Sequence, residues 1–194
     1  MNIGSFAARR NVIPGRDTED RDRGRARVSL ERDDEGTRIA ALACVLARLR
    51  AADRFYPPPR VADDPAAYSA WLSERTCLAR WVAFVYDIVV GHVLLATPGD
   101  HLVRFLASAD PDMPSERVVE IGRLFVDPSA RHQGLGRGLF DAATREAAAR
   151  RLFPALVVRE TGRDAIRLYN SAGWRDVGTL SARGGTLHVF LPRE

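Results

Sequence analysis

The feature that most constrains the fold is an apolar run followed by a glycine-rich turn and a helical pattern. The run "RVVEIGRLFVDP" (117–128) is rich in β-branched residues, predicts a strand and is closed by a proline. The turn "ARHQGLGRG" (130–138) precedes a helix predicted to begin near Gly136 and to end before Pro154. A second apolar run, "ALVVRE" (155–160), follows. Such a strand–helix–strand unit predicts a parallel strand pair with a right-handed crossover.

The segments on either side of this unit predict further helices and antiparallel strands. In chain order these are a strand at 26–30, a helix with apolar residues at helical spacing from Ile39 to Leu49, a helix at 65–75, strands at 79–86 and 89–97, a short helix at 101–107, a helix at 163–173 and strands at 174–180 and 186–192. We therefore predict an α/β (α+β) fold, with a mixed, mostly antiparallel sheet of about seven strands. A central parallel pair and helices on both faces complete it.

Length and composition bound the organisation of the chain. The 194 residues predict one domain from residue 25 to 194. Residues 1–24 are polar and without periodicity, so we expect them to form a disordered tail. No apolar run approaches the roughly 18 residues of a membrane span, and no signal-peptide core is present. We therefore expect a cytoplasmic protein without a membrane partner.

Charge and cysteine content exclude other classes of function. The net charge is +4, but no basic helix or alternation of basic and aromatic residues appears, so nucleic-acid binding is not expected. Cys44 and Cys77 fit no metal-ligand spacing, and both are predicted to be small core residues. No metal site is predicted.

The glycine-rich turn has two interpretations. It either starts a helix that needs backbone flexibility, or it binds an anion. The first N–H groups of a helix lack partners, and glycines at 134, 136 and 138 would let an incoming group reach the backbone. The Walker pattern is absent because no Gly-Lys-Ser/Thr follows, and the dinucleotide pattern fails because Leu139 stands where its third glycine belongs.

Two stretches resemble the signatures of the GNAT family of N-acetyltransferases. "LFVDPSARHQGLGRGLFDAA" (124–143) resembles the acyl-CoA-binding motif Arg/Gln-x-x-Gly-x-Gly/Ala, and "AIRLYNSAGW" (165–174) resembles a second signature, a helix with a tyrosine that ends in glycine and an aromatic residue. The matching motif positions are Arg131, Gly134 and Gly136. The resemblance implies a GNAT-like fold from about residue 26 to 191. It also implies transfer of an acetyl group from acetyl-CoA to a primary amine, by direct attack in a ternary complex.

The resemblance also implies where coenzyme A would bind. Backbone N–H groups from Gln133 to Leu139 would hold the pyrophosphate, with a charge-assisted bond from a nearby arginine. The residues assigned to this part of the site are Arg131, His132, Gln133, Gly134, Leu135, Gly136, Arg137, Gly138 and Leu139. The main chain of Leu124, Phe125 and Val126 would bind the pantetheine arm. This strand and the strand at 155–160 would splay apart and leave a cleft for the thioester.

Glu120 is the candidate general base. An alkyl amine with a pKa of about 10.4 must lose a proton before it attacks a thioester at neutral pH. Glu120 lies eleven positions before Arg131, which matches the offset of the glutamate base in histone-acetylating members of the family. Strand alternation places Glu120 among apolar residues, which would raise its pKa. The alternatives are an ion pair with Arg117 or Arg123, and proton transfer through water and backbone carbonyls.

Tyr169 is the candidate acid, because it matches the tyrosine of the second signature. A phenol with a pKa near 10 can donate a hydrogen bond or a proton to a thiolate with a pKa of about 8.5. The alternative is a core aromatic residue. The asparagine that the family often has seven positions earlier is replaced by Gly162. His92, in the middle of a predicted strand, is expected to be structural.

The sequence leaves the acceptor open. Asp110, Asp112 and Glu116 would either attract a cationic amine or form a solvated loop. The expected partners are acetyl-CoA and an amine, and a homodimer stays open. Two alternatives remain: an acyl-CoA-binding sensor or partner module without transfer activity, and an α/β protein that binds NAD or ATP.

Overall fold

The computed structural model describes residues 27–53, 56–182 and 185–193, so the predicted tail at 1–24 lies outside it. The helices and strands, in chain order, are β1 (Val28–Arg32), α1 (Ile39–Ala52), α2 (Pro65–Ser73), β2 (Cys77–Val85), β3 (Ile88–Ala96), α3 (Asp100–Ala109), β4 (Val118–Val126), α4 (Leu135–Ala149), β5 (Phe153–Arg159), α5 (Arg163–Ser171), β6 (Trp174–Ala182) and β7 (Gly185–Pro192). This order confirms the predicted one. The single domain from residue 25 to 194 stays a prediction.

The strands form one open seven-stranded sheet in the order β1-β2-β3-β4-β5-β7-β6. The β4–β5 pair is parallel and the other neighbouring pairs are antiparallel. The predicted mixed, mostly antiparallel sheet with a central parallel pair is therefore confirmed.

Helices cover both faces of the sheet, as predicted. On one face, Leu139 and Phe140 of α4 are buried in a cluster with residues of strands β2 to β5 and of α5. On the other face, α1 and α2 pack over β2 to β4, and α3 packs over β4, β5 and β7. The buried residues Leu42, Leu46 and Leu49 of α1 recur at helical spacing, so the hydrophobic periodicity selects the face that is buried.

The prediction that both cysteines fill the core is wrong. Cys44 is exposed, because it lies on the side of α1 opposite Leu42 and Leu46. Cys77 is half-buried, since it is the first residue of β2 and stands at the end of the strand. In the described parts of the chain, no helix is both long enough and apolar enough to cross a membrane.

The parallel strands β4 and β5 pair over only three residues each, from Val118 to Glu120 and from Phe153 to Ala155. Beyond Glu120, β4 continues beside β3 as far as Val126. Beyond Ala155, β5 continues beside β7. The two central strands thus part beyond this pairing, as the family resemblance predicted, and we call the gap between them the cleft.

A β-bulge in β4 lies just past this point of divergence. Leu94 of β3 faces Gly122 and His92 faces Phe125, so a two-residue step on β3 is matched by three residues on β4. Arg123, inside the bulge, has a φ of 50°, which is uncommon for any residue except glycine. A bulge bends the strand that carries the extra residue. We infer that this bend helps β4 to separate from β5.

His92 supports the bulge from β3. Its ring is fully buried, and Nδ1 donates a hydrogen bond to the carbonyl oxygen of Arg123 at 2.9 Å. The pKa of His92 is lowered to about 3: burial is the largest cause, the carbonyl of Arg123 acts against it, and the charges of Arg80 and Arg123 add to the lowering. His92 is therefore neutral at physiological pH, in agreement with a structural role.

The buried histidine predicts a loss of stability in acid. The unfolded chain takes up a proton near pH 6.5, whereas folded His92 does so only near pH 3. Between these values the unfolded state binds more protons, so the free energy of unfolding falls as the pH falls, by up to about 1.4 kcal/mol per pH unit. His92→Asn removes this contribution. Urea unfolding between pH 7 and 4 should show a flatter pH dependence for the variant, and parallel curves would contradict the assignment.

Candidate functional site

The N-terminus of α4 presents unpaired backbone donors. Gly134 caps the helix with a φ of 78°, and no atom lies within 4 Å of the position that a Cβ would occupy there. The first helical hydrogen bond runs from the N–H of Gly138 to the carbonyl of Gly134, at 2.9 Å. The N–H groups of residues 134–137 therefore have no partner inside the helix. Free N–H groups at a helix N-terminus, together with the helix dipole, are chemically suited to an anion.

The structure corrects the predicted run of donors, which ends at Arg137 rather than at Leu139. The N–H of Gly138 is used inside the helix, and Leu139 is fully buried in the core. The reason for a glycine at 138 is packing, because an added Cβ would lie 3.2 Å from Cδ1 of Leu30 in β1. This glycine lets α4 approach β1 closely.

The loop before α4 contributes exposed polar side chains. Arg131, His132 and Gln133 are all exposed and directly precede the glycine cap. The guanidinium of Arg137 binds Asp141 one turn along α4, at 2.8 Å. Of the two arginines in this stretch, Arg137 is therefore engaged in an ion pair within the helix.

A buried carboxylate fixes the turn that leads into this loop. The side chain of Asp127 accepts hydrogen bonds from the N–H of Ser129 at 3.0 Å and from its hydroxyl at 2.7 Å. It also accepts one from Nε of Arg48 in α1, at 2.5 Å. Burial alone would raise the pKa of Asp127, but these bonds outweigh it and hold the pKa below its usual range.

The predicted pantetheine strand lies along the opened cleft. Leu124 and Val126 pack towards the α4 face, while Phe125 belongs to the cluster beneath α1 and α2. An added Cβ at Gly136 would lie 3.9 Å from Val126 and 4.0 Å from Leu168 of α5. The start of α4, the end of β4 and α5 therefore border the same cleft.

Tyr169 borders the core beside this cleft. Its ring packs against Phe140 at 5.2 Å and Phe190 at 5.7 Å between ring centroids, and the residue is only 6% exposed. Burial raises the pKa of Tyr169, so the phenol stays protonated at neutral pH. The ring is part of the hydrophobic core, which was the alternative interpretation of Tyr169 from the sequence. The hydroxyl is protonated and can still donate a hydrogen bond.

Glu120 has a different environment from the predicted one. Instead of apolar neighbours, or a pairing with Arg117 or Arg123, its Oε2 accepts from Nη2 of Arg75 at 2.7 Å and from the N–H of Gly99 at 3.0 Å. The partner comes from the loop after α2, which strand alternation alone does not reveal. Oε1 has only a 3.5 Å contact with Arg75 and lies over Gly122 in β4. Oε1 is thus the freer of the two carboxylate oxygens.

Sequence reasoning missed a cluster on the α2 side of the cleft. Arg123 lies over the ring of Trp71, with 4.8 Å between the guanidinium carbon and the ring centroid. Tyr56 packs edge-on against the same ring at 5.8 Å. The side chain of Arg123 is 8% exposed, and Tyr56 is half-buried with a buried hydroxyl whose pKa is raised, chiefly by burial. The only signal in the sequence was an arginine in the middle of a strand.

The acidic residues proposed as an amine-attracting group form a solvated loop. Asp110, Asp112 and Glu116 are exposed after α3, and Asp110 accepts a hydrogen bond from the N–H of Asp112 at 3.1 Å.

Within the described ranges, no three His, Cys, Asp or Glu side chains come together as a metal site.

Comparison with known proteins gives one family. The sequence profile described as "Acetyltransferase (GNAT) family" matches residues 46–174. A mycothiol acetyltransferase from Acidothermus cellulolyticus is 46% identical over 74 residues. That stretch covers 37% of this chain and 23% of the relative, so the chain spans less than a quarter of that protein.

Solved structures of the same class share the fold. An acetyltransferase of the GNAT family from Streptococcus pneumoniae has a TM-score of 0.60 at 15% identity, covering 84% of this chain and 98% of that one. An acetyltransferase from Salmonella typhimurium, solved with its cofactor acetyl-CoA, has a TM-score of 0.61 at 17% identity, covering 84% and 91%. At these identities the likeness concerns the fold alone.

The role of Asp127 as an anchor predicts unequal effects of two truncations. Asp127→Ala leaves the N–H of Ser129 and the side chain of Arg48 unpaired, and should lower the free energy of unfolding by about 2–4 kcal/mol. Arg48→Ala should cost less than about 1 kcal/mol, because that side chain is 51% exposed. Urea unfolding followed by tryptophan fluorescence measures both. Equal losses would show that the turn does not depend on Asp127.

Proposed function

The chain belongs to the GNAT family of acetyltransferases, and on that premise we propose that it transfers an acetyl group from acetyl-CoA to a primary amine. The amine attacks directly while both substrates are bound. Its nitrogen bonds to the acetyl carbon, the carbon–sulfur bond breaks, the nitrogen loses one proton and the sulfur gains one. The observation that carries the proposal is that the free N–H groups of α4 border the cleft where β4 and β5 part.

The donors fit the pyrophosphate of coenzyme A in strength as well as position. Micromolar affinity requires about 8 kcal/mol. Hydrogen bonds to a charged oxygen contribute roughly 1.5 kcal/mol or more each, so the four N–H groups of residues 134–137 supply most of it. Arg131, His132 and Gln133 extend this surface. The main chain of β4 from Leu124 to Val126 is proposed to bind the pantetheine arm, which brings the thioester to the divergence.

The proton leaves the amine towards Glu120. At pH 7, exposing the lone pair of an amine with a pKa of about 10.4 costs roughly 4.6 kcal/mol without a base. Oε1 of Glu120 is the proposed acceptor, directly or through water, because Oε2 is held by Arg75 and Gly99.

Tyr169 is proposed to stabilise the departing sulfur. Because burial raises the pKa of Tyr169, complete proton transfer to a thiolate with a pKa of about 8.5 is uphill. We therefore assign Tyr169 a hydrogen bond to the sulfur, which takes its proton from the solvent or from the base. A homodimer and a cytoplasmic location, both expected from the sequence, stay predictions.

The cofactor assignment is tested by substitution at Gly136. Calorimetric titration should give micromolar binding of acetyl-CoA to the wild type. Gly136→Ala should stay within about threefold, since its Cβ meets only ordinary contacts at 3.9 and 4.0 Å. Gly136→Trp should weaken binding more than 100-fold because the side chain fills the cleft beside Val126.

Other ligands and a thiol-release assay separate the alternatives. NAD and ATP should not bind, and binding of either in place of acetyl-CoA would contradict the proposal. Acetyl-CoA binding without thiol release in the presence of any amine would indicate a sensor or partner module. Unchanged affinity in Gly136→Trp would show that the anion binds elsewhere.

The roles proposed for Glu120 and Tyr169 predict changes in kcat rather than in cofactor affinity. Tyr169→Phe should lower kcat by about 10- to 100-fold, and Glu120→Gln should lower it by about 100-fold. Each should leave the Kd for acetyl-CoA within about threefold. An unchanged kcat for Glu120→Gln would assign the proton to water and backbone carbonyls.

A further inference from the structure

A buried guanidinium beside the cleft is only partly paired. The side chain of Arg123 is 8% exposed, and Nη2 donates to Glu74 at 3.1 Å. Nη1 is buried and has no hydrogen-bond partner among the described residues. Glu74 is itself 47% exposed, so it compensates this charge weakly. Burial accordingly lowers the pKa of Arg123 to about 10. A buried donor left without an acceptor is costly, and it marks a position that a ligand can complete.

A second unpaired donor lies close to the first. The hydroxyl of Tyr56 is buried without a partner in the described part of the chain. Its ring is held between Trp71 at 5.8 Å and Phe125 at 6.1 Å. Tyr56 and Arg123 both contact the ring of Trp71, which places the two groups near each other. Both groups donate, so a ligand that pairs with both must offer acceptor oxygens.

The surrounding charges favour a ligand with a single negative charge. The network holds three arginines and two glutamates, which leaves one positive charge: Arg60, Arg75, Arg123, Glu74 and Glu120. A carboxylate neutralises this excess, whereas a dianionic phosphate would reverse it. The planar guanidinium is also well suited to carboxylate recognition.

The cluster adjoins the proposed site of acetyl transfer. Arg123 lies three positions after Glu120 on β4, and both side chains belong to the same charge network. Tyr56 packs against Phe125 of the same strand, with 6.1 Å between the ring centroids. Both groups therefore lie beside the part of β4 that no longer pairs with β5. If the carboxylate of a substrate is held here, an amine on the same molecule lies near the point where β4 and β5 part.

We propose that the acceptor is a small amine that carries a carboxylate, such as an amino acid, and that Nη1 of Arg123 and the hydroxyl of Tyr56 bind that carboxylate. This inference rests on the proposed acetyltransferase function. His92 is a positioning residue here, because it holds the carbonyl of Arg123 and with it the bulge. The excess positive charge also favours the uncharged amine, which is the form that attacks.

The test compares amino acids with their amides. Thiol release is measured at saturating acetyl-CoA with the twenty L-amino acids, their L-amino acid amides and a set of dipeptides. The best acid should exceed its own amide at least 30-fold in kcat/KM. Chemistry alone favours the amide, because a neighbouring carboxylate raises the pKa of an α-amine and an amide does not. A preference for the acid would therefore show that the protein recognises the carboxylate.

Variants assign that preference to the cluster. Arg123→Gln should lower the acid-to-amide ratio by about 30-fold and Tyr56→Phe by about 10-fold. The matched control Arg175→Gln, an exposed arginine on β6, should leave the ratio unchanged. Thermal melting and acetyl-CoA affinity check that each variant folds. If Arg123→Gln disrupts the bulge and does not fold, Tyr56→Phe still tests the proposal.

The outcomes separate this inference from the proposed function. Equal rates for acids and amides overturn the inference, as does an unchanged ratio in both variants. The inference is also overturned if acetyl-CoA binds but no compound of the panel causes thiol release. Failure to bind acetyl-CoA would instead refute the transferase proposal itself.

Discussion

The early parting of β4 from β5 is the constraint on which the rest of the structure depends. Three paired residues hold the two strands together, and each strand then follows its antiparallel neighbour. An extra residue at Arg123 bends β4 at this point, and the buried ring of His92 supports the carbonyl of that residue. The gap that results gives polar groups inside a sheet a place where they can meet a ligand.

The two faces of the sheet supply different groups to this gap. The α4 face provides unpaired N–H groups on a helix whose leading turn is fixed by Asp127, together with the protonated phenol of Tyr169. The opposite face provides Glu120 and Arg123, which are cross-linked to the loop and helix above them by ion pairs. A cofactor on one side and an acceptor on the other would meet only where the strands separate. The proposed function gives a reason for charged residues in the middle of β4, where a packed sheet would exclude them.

Element order could be predicted because hydrophobic periodicity is local: the spacing of leucines in α1 and the apolar runs of β4 and β5 need no tertiary information. The glycine-rich turn was recognisable for the same reason. Side-chain partners were not, since the ion pair between Arg75 and Glu120 joins residues 45 positions apart. The positive φ of Arg123 and the packing role of Gly138 depend on neighbouring strands. Cys44 was misassigned because composition favours burial, whereas its position on the helix decides exposure.

The central claim is that the N-terminus of α4 holds the pyrophosphate of acetyl-CoA at the mouth of the divergence. The most direct measurement is a ¹⁵N–¹H NMR titration of the full chain with acetyl-CoA. We predict that the amide protons of residues 134–137 shift downfield as they form hydrogen bonds, while the amide of Gly138, already bonded to Gly134, shifts much less. Saturation of the protein without shifts at residues 134–137, or with shifts confined to another surface, would contradict it.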